Sequence, residues 1–163
     1  MGGAGGGLLG GITLTSTALT EGGMFAAANT CAGAQDSLPL QWTAGPTGTM
    51  SYAVVLTDMT NNLVHYAIWD IPAATMSLPA ALVKQAMPPS PAGAKQVSFQ
   101  NATKGYYGPC PGGSTHTYRF VVYALDVATL PTVTTTSTPA QVVTQIQMHD
   151  LATGSLSGTS NAM

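Results

Sequence analysis

The stretch Gly105 to Asp126, GYYGPCPGGSTHTYRFVVYALD, constrains this chain more than any other. Its first part is too rich in Gly and Pro for a regular ladder. From Thr115 onward β-branched and aromatic residues dominate, which predicts a strand. Side chains in a strand alternate between faces, so His116, Tyr118, Phe120, Val122 and Ala124 share one face. Thr117, Arg119, Val121, Tyr123 and Leu125 take the other. Both faces turn apolar after the first few residues, so the strand should be central. A polar pair at the mouth of a buried strand, fed by an irregular loop, predicts a pocket. The loop would offer backbone N–H groups and the strand its side chains.

The rest of the chain supplies partners for this strand. Met1 to Gly11 (MGGAGGGLLGG) has the composition of a flexible tether. Its formal G-x-G-x-x-G at Gly5, Gly7 and Gly10 follows no strand and opens no βαβ unit, so it does not read as a dinucleotide site. Residues 12–163 then read as a single domain. Ile12 to Leu19 alternates apolar and hydroxyl residues as a first strand, and LPLQW, ending at Trp42, reads as a second. Met50 to Thr57 is an apolar strand ending at Asp58. Leu63 to Ile71 returns from it and is closed by Pro72, with His65, Ala67 and Trp69 on one face and Val64, Tyr66, Ile68 and Asp70 on the other. Ser77 to Met87 reads as a short helix with Ser77 as N-cap, and Gln96 to Phe99 as a weak strand. Thr138, Pro139 and Gln141 form a capping box that starts a helix running to about His149, with Val142, Val143, Ile146 and Leu151 as its apolar stripe. Ser155 to Thr159 reads as a short closing strand. Short strands separated by turn signals, with one or two peripheral helices, predict a mainly antiparallel β domain.

Composition narrows the function classes. Charged residues make up 6% of the chain, against roughly 25% in ordinary globular proteins. With a formal net charge of −2 and no basic cluster, nothing here would bind a phosphate backbone by counterion release, which argues against nucleic acid. No apolar run reaches the roughly 20 residues of a membrane-spanning helix. Two cysteines, Cys31 and Cys110, are too few for a disulfide scaffold or a zinc site of their own, and one bridge between them stays open.

If the hairpin 50–71 and the strand 115–125 share a sheet, Asp58, His65, His116 and Tyr118 gather at one sheet end beside the loop 105–114. Asp58, His65 and His116 could in principle form a two-His-one-carboxylate metal triad, or work with Tyr118 in general acid–base chemistry. No G-x-S-x-G nucleophile elbow accompanies them. His149, at the end of the last helix, reads as structural or solvent-facing.

The ordered segments NTCAGAQDSLPLQW, SYAVVLTD, VHYAIWDIP, GYYGPCP…HTYRFVVYALD, MHDLA and SLSGT resemble the phosphatidylethanolamine-binding protein family, particularly its bacterial branch, over about Thr13 to Thr159. The resemblance implies an antiparallel Greek-key β-sandwich with a small pocket for phosphate-like anions and phospholipid head groups, without a metal or other cofactor. Position by position, it puts the ligand-binding residues at Asp58, His65, Gly108, Cys110, Pro111, His116 and Tyr118. The chain departs from the family at D-P-D-A-P, which here is Asp58-Met59-Thr60-Asn61-Asn62, without the second acid or either proline.

Within that pattern, two imidazoles, a phenol and loop N–H groups make an anion cradle, since all can donate. A carboxylate at Asp58 would repel a dianion, so a monoanionic or zwitterionic head group is expected, with Asp58 orienting an imidazole. A Cys31–Cys110 bridge would stiffen the pocket. The partner expected is a small anion or phosphorylated head group. A protein partner is also open, because the family includes protease-inhibiting and kinase-pathway regulators. The protein would be a monomer or homodimer. The tether and low charge suggest an exported or surface-anchored protein. Asn101-Ala102-Thr103 matches a glycosylation sequon, relevant only in a eukaryotic secretory host.

Overall fold

A computed structural model describes residues 11–99 and 104–163. The Gly-rich segment up to Gly10 and the sequon at Asn101 lie outside the described residues. Among the described residues, nine strands form two sheets, accompanied by one α-helix. The larger holds, in order, β2 (Gly23–Met24), β9 (Asp150–Ser160), β8 (His116–Leu125), β4 (Ser51–Asp58), β5 (Leu63–Pro72) and β7 (Lys95–Ser98). The smaller holds β1 (Leu14–Thr15), β3 (Leu40–Trp42) and β6 (Ser77–Leu78). Pairing is antiparallel throughout except for the short β2–β9 contact, which is parallel.

The apolar alternation decides what each face packs against. One face of β4, β5 and β8 contributes Tyr52, Val54, Leu56, Ile68, Phe120 and Val122 to a core shared with Leu14, Leu40 and Trp42 of the small sheet. The opposite face, with Val55, Ala67, Trp69 and Leu125, is covered by α1 (Pro139–Met148) through Val142 and Ile146. β8 is central, as its two apolar faces require, and lies between β9 and β4. The helix starts at the expected capping box: Thr138 Oγ1 accepts from the Gln141 N–H, and Gln141 Oε1 accepts from the Thr138 N–H. His149 is its C-cap and pairs with Asp126 at 2.8 Å.

Four expectations are corrected. Ser77 to Met87 is not helical: Ser77–Leu78 is a strand, and the segment beyond runs through turns and bends, with the Val83 and Gln85 carbonyls accepting from buried Gln96. A helix would have used the Val83 carbonyl itself. Leu151 leaves the helix stripe and opens β9, exposed. β9 is eleven residues long rather than a short closing strand, since every residue from Asp150 to Ser160 except Leu151 finds a partner on β8. In the first strand, only Leu14 and Thr15 of the Ile12–Leu19 run enter a ladder.

Candidate functional site

Three strand ends and one loop converge at one end of the large sheet. Asp58 is the last residue of β4 and lies opposite Tyr118 of β8 in the ladder. His116, two residues earlier on β8, projects on the same side and its Nδ1 meets Asp58 Oδ2 at 2.6 Å. The other carboxylate oxygen, Oδ1, accepts from the Thr60 N–H at 2.9 Å. Thr60 Oγ1 in turn accepts from the Thr117 N–H, and the Met59 N–H donates to the Thr117 carbonyl. The altered Met59–Asn62 turn therefore still clamps β4 to the start of β8. Asp58 is 1% exposed, and a carboxylate so deeply buried needs these partners. Because Nδ1 of His116 faces a carboxylate, that nitrogen carries the proton.

His65 reaches the site by a route that alternation does not predict. Leu56 pairs with Tyr66 and Thr57 with Val64, which leaves His65 as the extra residue of a β-bulge. A bulge re-aims the side chain of the inserted residue. His65 accordingly leaves the Ala67–Trp69 face and lies edge-on to Tyr118, with ring centroids 5.2 Å apart. Its Nδ1 is 3.3 Å from both the Tyr107 and the Gly108 carbonyl oxygens. Carbonyls only accept, so Nδ1 is protonated and Nε2 of the neutral ring offers a lone pair. Burial holds the His65 pKa below 6.5, outweighing the opposing effects of the two carbonyls and of the Asp58 charge.

Tyr118 lies between the two imidazoles and is fully buried. Its hydroxyl has no hydrogen-bond partner among the described residues. Asp58 and the Cys110 N–H are close enough to influence its ionisation but stand outside hydrogen-bond geometry. Burial, reinforced by the Asp58 charge, raises the phenol's pKa well above 10.

The loop 105–114 closes the site, though it offers fewer free donors than expected. The Gly108 N–H is engaged by Gln35 Oε1 at 3.1 Å, and the Gly112 and Gly113 N–H groups both donate to the Ala162 carbonyl. Pro109 and Pro111 have no N–H to give. Cys31 and Cys110 are joined as a disulfide, and the Cys31 N–H donates to the Pro109 carbonyl, so the segment 27–36 is stapled to this loop. Gly108 is required by space: a Cβ there would stand 2.3 Å from the Asn29 carbonyl oxygen. Among the described residues no group of three His, Cys, Asp or Glu side chains is placed to hold a metal ion. Nothing in the local pattern marks Tyr107 or Gln35 as a site residue. Tyr107, whose ring packs 5.2 Å from His65, sits beside the loop residues that the sequence does mark.

Two facing sheets, with a buried Asp–His pair, a second histidine and an unpartnered tyrosine at one sheet end, define a β-sandwich protein. This chain belongs to the phosphatidylethanolamine-binding protein family, whose model matches residues 15–161. It is similar to "Putative lipoprotein LppC" of Mycobacterium tuberculosis, at 32% identity over 140 residues, covering 82% of this chain and 66% of that protein. The match thus spans just under two thirds of that relative's length. Escherichia coli YbcL is 30% identical over 132 residues, covering 77% of this chain and 72% of YbcL. The crystal structure of YbcL, described as a new member of the mammalian family, superposes with a TM-score of 0.80 at 25% identity, covering 93% of this chain and 99% of the other. The homologue CT736 from Chlamydia trachomatis superposes at 0.75, also at 25% identity, covering 92% and 97%.

Proposed function

We propose that this protein binds a small monoanionic or zwitterionic ligand, of the phosphate or phosphorylated head-group type, at Asp58, His65, His116 and Tyr118 beneath the loop from Gly108 to Pro111. One observation carries the reading. The Tyr118 hydroxyl is fully buried, on a ring whose centroid lies 5.2 Å from that of His65 and 6.3 Å from that of His116, and lacks a partner among the described residues. Leaving a buried hydroxyl unpaired costs about 1–3 kcal/mol, which a ligand oxygen would offset. Asp58 acts through His116, fixing its ring and neutralising its charge when protonated, and so disfavours a dianion. The Cys31–Cys110 bridge, which persists in oxidising compartments, and the name of the LppC relative support an extracytoplasmic location.

A second reading rests on the lowered pKa of His65. A neutral imidazole with a free Nε2, facing an Asp–His pair, is the equipment of a general base and a general acid, so the same pocket could turn over a small substrate.

The test is a titration with phosphate, phosphoethanolamine and acetate, following the imidazole signals by NMR. His65 and His116 should shift together and saturably, with a phosphate preference, while His149 stays still. Silence from both, or a response to divalent metal alone, would overturn the anion reading. Release of product from a phosphate ester would favour the catalytic one.

A further inference from the structure

Methionine is among the residues most often buried in folded proteins. In this chain it is placed the other way. Neither core cluster contains a methionine, although Leu, Ile, Val and Trp occur in both. The sequence has eight methionines, of which Met1 lies outside the described residues. The other seven are all exposed, from 36% at Met59 to 85% at Met163. They do not form one patch for a partner to cover. Met50 and Met59 stand at the two ends of β4, roughly 30 Å apart at about 3.3 Å per residue. Met148 ends the helix, and Met24 lies on the edge strand β2. The chain's two cysteines are bridged to each other, so no free thiol competes with these thioethers for an oxidant.

We propose that the exposed methionines are modification sites for two-electron oxidants, hydrogen peroxide and hypochlorous acid, and that they consume such oxidants without harm to the fold. With peroxide, a sulfur lone pair attacks one oxygen, an S–O bond forms and the O–O bond breaks. The departing hydroxide takes up the proton of the transferred oxygen and leaves as water, so sulfur is oxidised by two electrons and peroxide is reduced. The product is a polar sulfoxide. In either core cluster it would bury an S=O dipole among apolar side chains, which is unfavourable without a hydrogen-bond partner. At the surface, water solvates it. Three of the seven adjoin the candidate site. Met59 follows Asp58, and Met24 precedes Phe25, whose ring lies 6.0 Å from that of Tyr118. The Met163 sulfur stands 3.1 Å from where a Cβ of Gly113, in the loop 105–114, would lie. The inference is independent of which ligand the site takes.

The experiment is oxidation of the full chain, disulfide intact, with each oxidant at increasing molar ratio. Peptide mass analysis, urea unfolding and imidazole NMR follow the outcome. The seven methionines should each take up one oxygen before Trp42, Trp69, Tyr118, His65 or His116 is altered. The protein oxidised at its methionines should keep its urea midpoint and its His65 and His116 signals. Met24→Leu, Met59→Leu and Met163→Leu together keep the apolar bulk and remove three thioethers. With hypochlorous acid, damage to the site side chains should then begin about three equivalents earlier, one for each sulfur removed. If that variant does not fold, Met50→Leu, Met76→Leu and Met148→Leu remove the same number and should give the same advance. A fall in the urea midpoint on methionine oxidation overturns the proposal. So does damage to the site side chains while exposed methionines stay reduced, or an unchanged onset in a folded variant lacking three thioethers.

Discussion

His116 and Asp58 are joined across the β4–β8 pair by a 2.6 Å hydrogen bond from imidazole Nδ1 to carboxylate Oδ2, with the carboxylate almost wholly buried. Asp58→Asn keeps an oxygen for the Thr60 N–H but replaces a charged acceptor facing His116 with a neutral amide. Hydrogen bonds to charged groups contribute about 1.5–3 kcal/mol, so a loss in that range is expected in urea unfolding. Asp58→Ala should cost more, since it strands both partners. An Asp58→Asn protein as stable as the native one would show that this pair does not hold the sheet end together.

The staple between the two loops predicts a second result. Cys31 and Cys110 are 79 residues apart in sequence, and for a closed loop of that size the chain-entropy estimate is about 4.5 kcal/mol. Reduction, or Cys31→Ser with Cys110→Ser, should lower the unfolding free energy by an amount of that order, and the midpoint with it. It should also broaden the His65 signals, because the bridge fixes the loop whose carbonyls hold that ring. Intact-mass analysis with and without reductant confirms the bridge first, and an unchanged midpoint after verified reduction would count against it as a stabiliser.

The sign of the His65 effect follows from its lowered pKa, caused chiefly by burial. As pH falls below 6.5 the unfolded chain takes up a proton at this residue before the folded one does. The stability that the neutral ring contributes is full above 6.5 and is lost as pH falls through the lower folded-state value. An NMR titration should place the His65 midpoint below 6.5. A midpoint at or above that value would mean that the carbonyls and Asp58 outweigh burial.

Much of this site is legible in the sequence, and the parts that are not have identifiable causes. Alternation and turn residues placed Asp58 at a strand end and put His116 and Tyr118 on one face of a central strand, because those strands are regular to their tips. Alternation puts His65 on the Ala67–Trp69 face, whereas a bulge inserts one residue into β5, and a period of two cannot register a single insertion. Gln35 and Gln96 look like ordinary polar residues in sequence. Their roles depend on backbone groups 73 residues away at Gly108 for the first, and 13 and 11 away at Val83 and Gln85 for the second, so local pattern carries no trace of them. The Ser77–Met87 segment is the consequence: its N-cap signal is local, whereas its Val83 and Gln85 carbonyls are taken by Gln96.

Gly108→Ala tests the closeness of the two loops. The added Cβ would lie 2.3 Å from the Asn29 carbonyl, whose backbone is itself tied to Tyr106 Oη by a 2.8 Å hydrogen bond. Neither side can yield cheaply, so a loss of about 1–3 kcal/mol is expected, as for overpacking in a core. Thermal unfolding would check it. A neutral effect would mean that the loop 105–114 can move away from the segment 27–36 despite the bridge.

Tyr118→Phe separates a structural tyrosine from a binding one. The ring packs between His65, His116 and Phe25, and Phe would fill the same space. The hydroxyl, by contrast, is buried without a partner among the described residues and so works against folding in the ligand-free protein. Removing an unsatisfied buried polar group should leave stability unchanged or raise it by about 1 kcal/mol. If the hydroxyl is kept for a ligand, the same substitution should weaken phosphoethanolamine binding about 5- to 10-fold, the usual worth of one neutral hydrogen bond. Stability and affinity would then move in opposite directions. If Tyr118→Phe instead destabilises the ligand-free protein, the hydroxyl has a partner that stabilises the fold, and the observation on which the binding proposal rests falls with it.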